Sequence, residues 1–322
     1  MDVLEIAPYT WRLSSQLGNR NVYQYLLGDE DGGSLLIDTG TSNTPREVIM
    51  PALRRLGLAP SGVELVIVTH PDADHQGGLS ALRQELPRAR FTCGFADIGL
   101  VSSPERLLDE RYGAYRPLHG MGYSESELAG LRSLCGEPTA LDFGLIGGER
   151  LQLRDRQLHV LHAPGHSAGH VVVHEPASRL LFSSDAIHGR MIPAADGTPA
   201  LPPTYEDVDA YLATVDMVAA IAPAELHSGH WPSMIGNDMQ SWLADSRSFV
   251  AATDEVIRTV ATHPATLREL CVEVDRVLGP FGADAVNLMF VVHGHLRRLM
   301  RNGTAEVDLE ADPPRFAIVS SS

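Results

Sequence analysis

A six-residue segment combines histidine and aspartate at a spacing suited to metal binding. It reads His70-Pro71-Asp72-Ala73-Asp74-His75 and follows an apolar run at residues 65–69. If the segment stays extended, residues 70, 72 and 74 project to one side and residue 75 to the other. One short loop would then supply ligands to two adjacent metal positions.

Histidine or aspartate also closes three later apolar segments. His166 follows Gly165 in a turn after a strand-like run, Asp185 follows the run 180–184, and His230 follows Gly229. Taken alone, a strand-end aspartate is more often a cap or turn residue, and a histidine is more often a hydrogen-bonded polar group. Their recurrence behind one His/Asp-rich segment favours a single site that gathers them.

Buried strands with helices outside them are expected to position these residues. The hydrophobic patterns predict strands at 22–27, 34–40, 65–69, 158–162, 170–174 and 180–184, and helices at 45–56, 77–86, 206–221 and 238–260. Functional side chains at strand ends, with helices on the outer faces, are typical of an α/β layered fold.

The C-terminal part has a different composition from about residue 263 onward. Two helical patterns, beginning near residues 266 and 291, are followed by the turn signal Asn302-Gly303 and two short strands. Helix, helix and β-hairpin is the order of a winged-helix module. We therefore predict a catalytic domain at 1–240 and a small α+β module at 241–322.

The ordered residues resemble the pattern of the metallo-β-lactamase superfamily, H-x-H-x-D-H, then G-H, a strand-end D, and a second G-H. Asp38-Thr39-Gly40 matches the early D-x-G turn of that family. The resemblance runs from about residue 10 to about residue 235 and implies a four-layer αβ/βα sandwich. The C-terminal module is similar to the winged-helix tail of a subfamily related to glyoxalase II, which includes β-lactamase-like protein 2, an endoribonuclease.

Carried over position by position, the resemblance implies two divalent metal ions, with zinc expected. The implied metal-site residues are His70, Asp72, Asp74, His75, His166, Asp185 and His230. His70, Asp72 and His166 would bind the first ion, and Asp74, His75 and His230 the second. Asp185 would bridge the two ions, and His227 is the alternative to His230. Asp74 is expected to orient a metal-bound hydroxide and pass its proton to the leaving group.

Asp72 departs from the family pattern, which has histidine at this position. A carboxylate is a harder ligand, so Asp72 would either shift the preference towards iron or manganese or leave the first position weak. Substrate specificity is expected in loops 104–145 and 190–205. His188 and Tyr205 are predicted to face the substrate, with Tyr205 as a pocket wall.

Overall composition bounds the class of protein. The 322 residues carry a formal net charge of −16, which argues against a broad phosphate-binding surface and favours a small-molecule substrate. The three cysteines have no C-x-x-C spacing, and no signal or membrane-spanning stretch is visible. We therefore expect a cytoplasmic protein, as a homodimer.

The predicted function is hydrolysis of a small carboxylic ester, thioester or lactone by a metal-bound hydroxide. Three alternatives remain open. The winged-helix-like tail suggests an endoribonuclease or phosphodiesterase, although the charge balance argues against nucleic acid. Asp72 suggests a non-haem iron redox enzyme. A degenerate site would suggest a metal-stabilised binding protein without catalysis.

Overall fold

The computed structural model describes residues 2–319, apart from the side chains of residues 283 and 284. Within this range the strands of the first sheet, in spatial order, are β1 Asp2–Ala7, β2 Thr10–Leu17, β3 Arg20–Gly28, β4 Ser34–Ile37, β5 Val63–Val68, β6 Arg90–Gly94 and β7 Phe143–Leu145. The strands of the second sheet are β8 Arg150–Leu153, β9 Arg156–His162, β10 Val171–Glu175, β11 Leu180–Ser184, β14 Glu225–Ser228 and β15 Met234–Ile235. A separate hairpin consists of β12 Ile192–Pro193 and β13 Pro199–Leu201.

The two sheets pack against each other through apolar side chains. Tyr25 and Ile67 of the first sheet share one buried cluster with Val160 and Phe182 of the second. Strand β5 pairs in parallel with β4 and β6 in the middle of its sheet. A parallel strand covered on both faces needs apolar residues at almost every position, which explains the run Leu-Val-Ile-Val before the His/Asp segment.

Helices cover the outer face of each sheet. Their bounds are α1 Met50–Leu56, α2 Ala73–Gln76, α3 Leu79–Glu85, α4 Ile98–Val101, α5 Pro104–Leu107, α6 Arg116–His119, α7 Glu125–Leu134, α8 Val208–Ile221, α9 Gly236–Val260, α10 Leu267–Leu278 and α11 Leu288–Arg301. Leu53 of α1 and Leu82 of α3 pack with Val66 on the first sheet. Val215 of α8 packs with Leu181 on the second. The predicted α/β layered fold, with helices outside two sheets, is confirmed.

The C-terminal segment adds a small sheet with the spatial order β16 Ala265–Thr266, β18 Arg315–Ile318, β17 Ala305–Asp308. The predicted order of helix, helix and hairpin is present as α10, α11 and β17–β18. Helix α9 begins at Gly236, so the predicted boundary at residue 240 falls inside a helix. The winged-helix assignment and the division into two domains stay predictions. Within residues 2–319, no helix is both long and apolar enough to cross a bilayer.

Candidate metal centre

The His/Asp segment lies between strand β5 and helix α2. Asp72 has extended backbone angles and occupies the N-cap position of α2, whose first turn contains Asp74 and His75. The segment is therefore extended only as far as Asp72, and the expectation that residue 75 projects away from residue 74 is wrong. Because a helical turn carries both side chains, Asp74 and His75 reach the same cluster, which His230 completes.

Four donor atoms gather around one position. His230 Nε2 lies 3.1 Å from Asp185 Oδ2, 3.5 Å from His75 Nε2 and 3.6 Å from Asp74 Oδ2. His75 Nε2 lies 3.8 Å from Asp185 Oδ2 and 4.0 Å from Asp74 Oδ2. Ligand atoms bound tetrahedrally to zinc at about 2.0 Å are about 3.3 Å apart. The atoms of Asp74, His75 and His230 therefore have nearly the spacing that one tetrahedral metal ion requires, and Asp185 Oδ2 lies beside the two histidines.

Hydrogen bonds at Nδ1 orient the histidines of this cluster. His75 Nδ1 lies 3.0 Å from Asp38 Oδ2, and His230 Nδ1 lies 2.8 Å from the backbone oxygen of Asn21. His70 Nδ1 lies 2.9 Å from the hydroxyl of Thr69. An Nδ1–H that donates to an oxygen leaves the lone pair of Nε2 available to a metal ion.

Gly229 leaves the space in which two ligands approach each other. A Cβ atom at residue 229 would lie 2.2 Å from Asp185 Oδ1 and 2.8 Å from His75 Cε1. Any larger residue would push these side chains away from the cluster. The Gly-His pair at 229–230 therefore has a steric cause, and it is the signal by which the sequence indicated His230.

His166 approaches the site from the loop between β9 and β10. Gly165 before it has φ 129°, and a Cβ there would lie 2.5 Å from the Cα of Tyr211. His166 Nδ1 lies 3.2 Å from the Thr204 hydroxyl and 3.3 Å from His188 Nε2. The Nε2 atom faces Asp72, with Oδ2 at 3.0 Å. His70, His166 and Asp185 form a second group of closely spaced donor atoms.

Arg111 enters the site although the sequence did not indicate it. Its Nε and Nη2 donate to the two carboxylate oxygens of Asp72 at 2.6 and 3.1 Å. Its Nη1 donates to Glu206, and Nη2 lies 3.3 Å from His166 Nε2. The side chain is only 3% exposed. Tyr112, the next residue, donates its hydroxyl to Asp72 Oδ1 at 3.1 Å.

Three predicted residues have neighbours that bear on their roles. His188 is buried, and its ring supports His166. Tyr205 is also buried, where its ring stacks on Tyr211 and its hydroxyl lies 3.0 Å from His295 Nε2. These contacts favour supporting and packing roles. His227 also lies in the core, with Nδ1 2.9 Å from the Ser233 hydroxyl, and the donor clusters among the described residues do not include it.

Electrostatic interactions within the site raise the pKa of His75 and lower the pKa of Asp185. Burial alone lowers the pKa of His75, but the carboxylates Asp185, Asp38 and Asp74 outweigh it and raise that pKa to about 10. Burial raises the pKa of Asp185, but the nearby rings of His230 and His75 hold it well below its ordinary value. A metal ion that binds here must therefore displace a proton from His75.

The chemistry of the donor set fits a divalent metal ion. His70 Nε2 and Asp185 Oδ1 are buried and have no hydrogen-bond partner among residues 2–319. Buried polar atoms without partners are costly, and a cation would compensate for that cost. Asp74, His75, Asp185 and His230 offer two imidazole nitrogens and two carboxylates, which suit zinc.

A cavity of about 130 Å³ opens onto these residues. Asp74, Asp185 and His230 line it on the metal side, and Arg20 of β3 lines another wall. Arg20 Nε is buried and has no hydrogen-bond partner in the described part of the chain. Arg20 and the candidate metal ligands thus line the same cavity.

A profile of the metallo-beta-lactamase superfamily matches residues 17–230, which is more than half of the chain. The chain therefore belongs to this superfamily, and the resemblance inferred from the His/Asp pattern is confirmed. The match ends at His230, the last residue of the tetrahedral cluster.

Two curated relatives share part of the sequence. Hydroxyacylglutathione hydrolase from Stenotrophomonas maltophilia (strain R551-3) is 28% identical over 196 residues, which are 59% of this chain and 56% of that protein. Acyl-coenzyme A thioesterase MBLAC2 from Gallus gallus is 30% identical over 133 residues, 40% of this chain and 43% of that protein. The chain spans about half the length of the curated relatives it matches.

Two solved structures share the fold over nearly the whole chain. A metallo-beta-lactamase family protein from Thermus thermophilus has a TM-score of 0.76 at 20% identity, covering 98% of this chain and 100% of that one. A beta-lactamase domain protein from Burkholderia ambifaria has a TM-score of 0.75 at 21% identity, covering 99% and 94%. These likenesses extend the shared fold through the C-terminal segment.

Proposed function

We propose that this chain is a metal-dependent hydrolase that cleaves a small acyl thioester. One observation carries the proposal: the donor atoms of Asp74, His75 and His230 form a closely spaced group at the wall of a cavity, with Asp185 Oδ2 beside the two histidines. The names of the two curated relatives, a hydroxyacylglutathione hydrolase and an acyl-coenzyme A thioesterase, both describe hydrolysis of a thioester. Zinc is the proposed metal because nitrogen and oxygen donors in tetrahedral arrangement suit it.

A divalent metal ion at this position would lower the pKa of a water molecule and polarise the thioester carbonyl. Asp74 is the proposed acid–base residue. Its side chain is 15% exposed and lines the cavity, so it can reach both the water and the substrate. Asp74 would accept the proton of the attacking water and pass it to the departing thiolate. Overall, one thioester and one water give a carboxylic acid and a thiol.

Arg20 supports an anionic substrate. Arg20 lines the cavity, and its Nε has no hydrogen-bond partner among the described residues, so we take its guanidinium group as the partner of a substrate carboxylate or phosphate. Acyl derivatives of glutathione and of coenzyme A both carry such groups.

The cytoplasmic location and the homodimer predicted from the sequence remain part of this proposal.

The C-terminal segment gives little support to the alternative that the protein acts on nucleic acid. Arg298 and Arg301 of helix α11 lie 2.8 and 3.1 Å from carboxylate oxygens of Asp209. Arg297 lies 3.5 Å from a carboxylate oxygen of Asp207. Arginines already paired with carboxylates within the chain offer little to a phosphate backbone, so these residues do not favour an RNA substrate.

The proposal is tested by following thiol release with a chromogenic disulfide reagent. The protein is stripped with a chelator, reloaded with zinc, and given an acylglutathione, an acyl-coenzyme A, an aryl ester, a lactone and a phosphodiester. We expect zinc-dependent thiol release that Asp74→Ala abolishes and Asp109→Ala, an exposed control, preserves. Cleavage of the phosphodiester without thiol release would overturn the proposal.

A further inference from the structure

We infer that Arg111 takes the place of the first metal ion, so that the protein retains one metal ion instead of two. This inference rests on the proposed metal-dependent function and specifies its metal site. The four-donor position of Asp74, His75, Asp185 and His230 is the one that is filled. The position near His70 and His166 is balanced by a guanidinium group of the chain itself.

The carboxylate of Asp72 has no oxygen left for a metal ion. Its Oδ1 accepts from Arg111 Nε at 2.6 Å and from the Tyr112 hydroxyl at 3.1 Å. Its Oδ2 lies 3.1 Å from Arg111 Nη2 and 3.0 Å from His166 Nε2. Four contacts account for the hydrogen-bonding capacity of a carboxylate. The bidentate pairing with Arg111 is also the geometry that arginine forms most favourably.

The remaining donors are too few for a second site. Arg111 Nη2 lies 3.3 Å from His166 Nε2, the atom that would have to bind the ion. His70 Nε2 and Asp185 Oδ1 have no hydrogen-bond partner among the described residues, and His70 Nε2 lies 3.9 Å from Asp185 Oδ2. That same oxygen already lies 3.1 Å from His230 Nε2 in the other position. One free histidine and one shared carboxylate fall short of the three or four protein ligands that hold zinc.

Arg111 is anchored by more than Asp72. Its Nη1 donates to Glu206 and, at 3.3 Å, to the backbone oxygen of His166. Its guanidinium carbon lies 5.3 Å from the centre of the Phe290 ring. A second divalent ion would lie next to this fixed positive charge and be repelled by it. Asp72 therefore serves as the counter-ion of Arg111, which removes the reason to expect iron from a carboxylate ligand.

Metal stoichiometry tests the inference without an activity measurement. Each protein is incubated with excess zinc, desalted, and analysed by elemental mass spectrometry. A cobalt titration followed by visible absorption gives an independent count. We expect one ion per wild-type chain, one in Asp72→His because Glu206 still holds Arg111, and two in Asp72→His/Arg111→Met. Arg106→Met, which removes an exposed arginine paired with Glu110, is the matched control and keeps one ion.

Two ions in the wild type, or two in Asp72→His alone, would overturn the role of Arg111. So would a folded double variant, judged by circular dichroism, that still binds one ion. If the double variant does not fold, the wild-type count decides alone, and a wild type that binds no ion overturns the inference as well. One ion without thiol release would defeat the proposed thioesterase function and leave this inference standing. Two ions with thiol release would overturn this inference and leave the proposed thioesterase function standing.

Discussion

Asp38 binds His75, with Oδ2 lying 3.0 Å from the Nδ1 atom of the ring. The same carboxylate accepts the backbone N–H of Thr69 and the hydroxyl of Ser184, both at 2.8 Å. Thr69 immediately precedes His70, and Ser184 immediately precedes Asp185. One buried carboxylate thus fixes the segments that carry three residues of the metal centre, from both sheets.

Replacing Asp38 with asparagine is expected to weaken metal binding by about 10- to 100-fold, the usual effect of losing a carboxylate that orients a metal-bound histidine. The reason is that the neutral amide makes His75 a weaker ligand and cannot accept all the bonds that Asp38 accepts. Zinc affinity is measured by competition with a chromophoric chelator. Asp142→Asn, at a partly exposed pair with Arg83, should leave it unchanged. Equal affinities in both variants would contradict the assigned role.

His230→Ala and His227→Ala separate the two histidines that the sequence left open. Of the two, only His230 belongs to the donor group of Asp74 and His75, whereas His227 is hydrogen-bonded to Ser233. We expect His230→Ala to lower zinc affinity by roughly 100-fold or more, since it removes a ligand directly. His227→Ala should lower the free energy of unfolding while keeping one zinc ion. The reverse pattern in metal content would reassign the ligand.

Arg20→Leu should raise KM for an anionic thioester about tenfold and change kcat little. A hydrogen bond to a charged group contributes about 1.5–3 kcal/mol, and 1.4 kcal/mol corresponds to a factor of ten. KM and kcat are measured for an acylglutathione and for an uncharged thioester, whose KM is expected to stay constant. Arg88→Leu is the exposed control. If KM rises equally for both substrates, Arg20 shapes the cavity and does not select charge.

His293 of helix α11 should make the protein less stable in acid. Burial, together with His119 and Arg297, lowers the pKa of His293 from 6.5 to about 4. The unfolded chain therefore binds a proton more readily, so stability is complete above pH 6.5 and falls as the pH drops towards 4. His293→Gln is expected to remove on the order of 1–2 kcal/mol of that loss.

Urea unfolding at pH 7 and pH 4.5 measures this change in the free energy of unfolding. The protein is used without metal, so that acid-driven release of the metal does not contribute. The matched control is His263→Gln, at an exposed position of the same C-terminal segment. An unchanged difference between the two pH values in His293→Gln would show that His293 does not carry the acid sensitivity.

Local signals were sufficient to predict the layered fold and the histidines and aspartates that meet at the site. Strand β5 is recognisable because it is buried on both faces, and His70 follows its end. Gly229 indicates His230 as a ligand, because a Cβ atom at residue 229 would collide with Asp185. In each case the cause lies within a few residues of the ligand, so the sequence pattern retains it.

Arg111 could not be found in this way because its partner Asp72 is 39 residues away along the chain. The available signal was indirect: an aspartate in place of histidine adds a negative charge, and a buried negative charge requires a positive partner. Tyr205 is the opposite case, a residue that the sequence placed at the pocket and that packs in the core. An aromatic residue in a loop rich in proline and alanine suits a pocket wall, and only the stacking partner Tyr211 shows that it packs inward.

The proposed metal ligands come from both sheets, which determines what a bound ion would do to the stability of the fold. Asp74 and His75 follow β5 of the first sheet, whereas Asp185 and His230 follow β11 and β14 of the second. An ion held by all four residues would cross-link the two sheets, which otherwise pack against each other through apolar contacts. Separating the layers would then require breaking coordination bonds. Loading the ion should therefore slow amide hydrogen exchange in β5 and β11 together, although the two strands belong to different sheets.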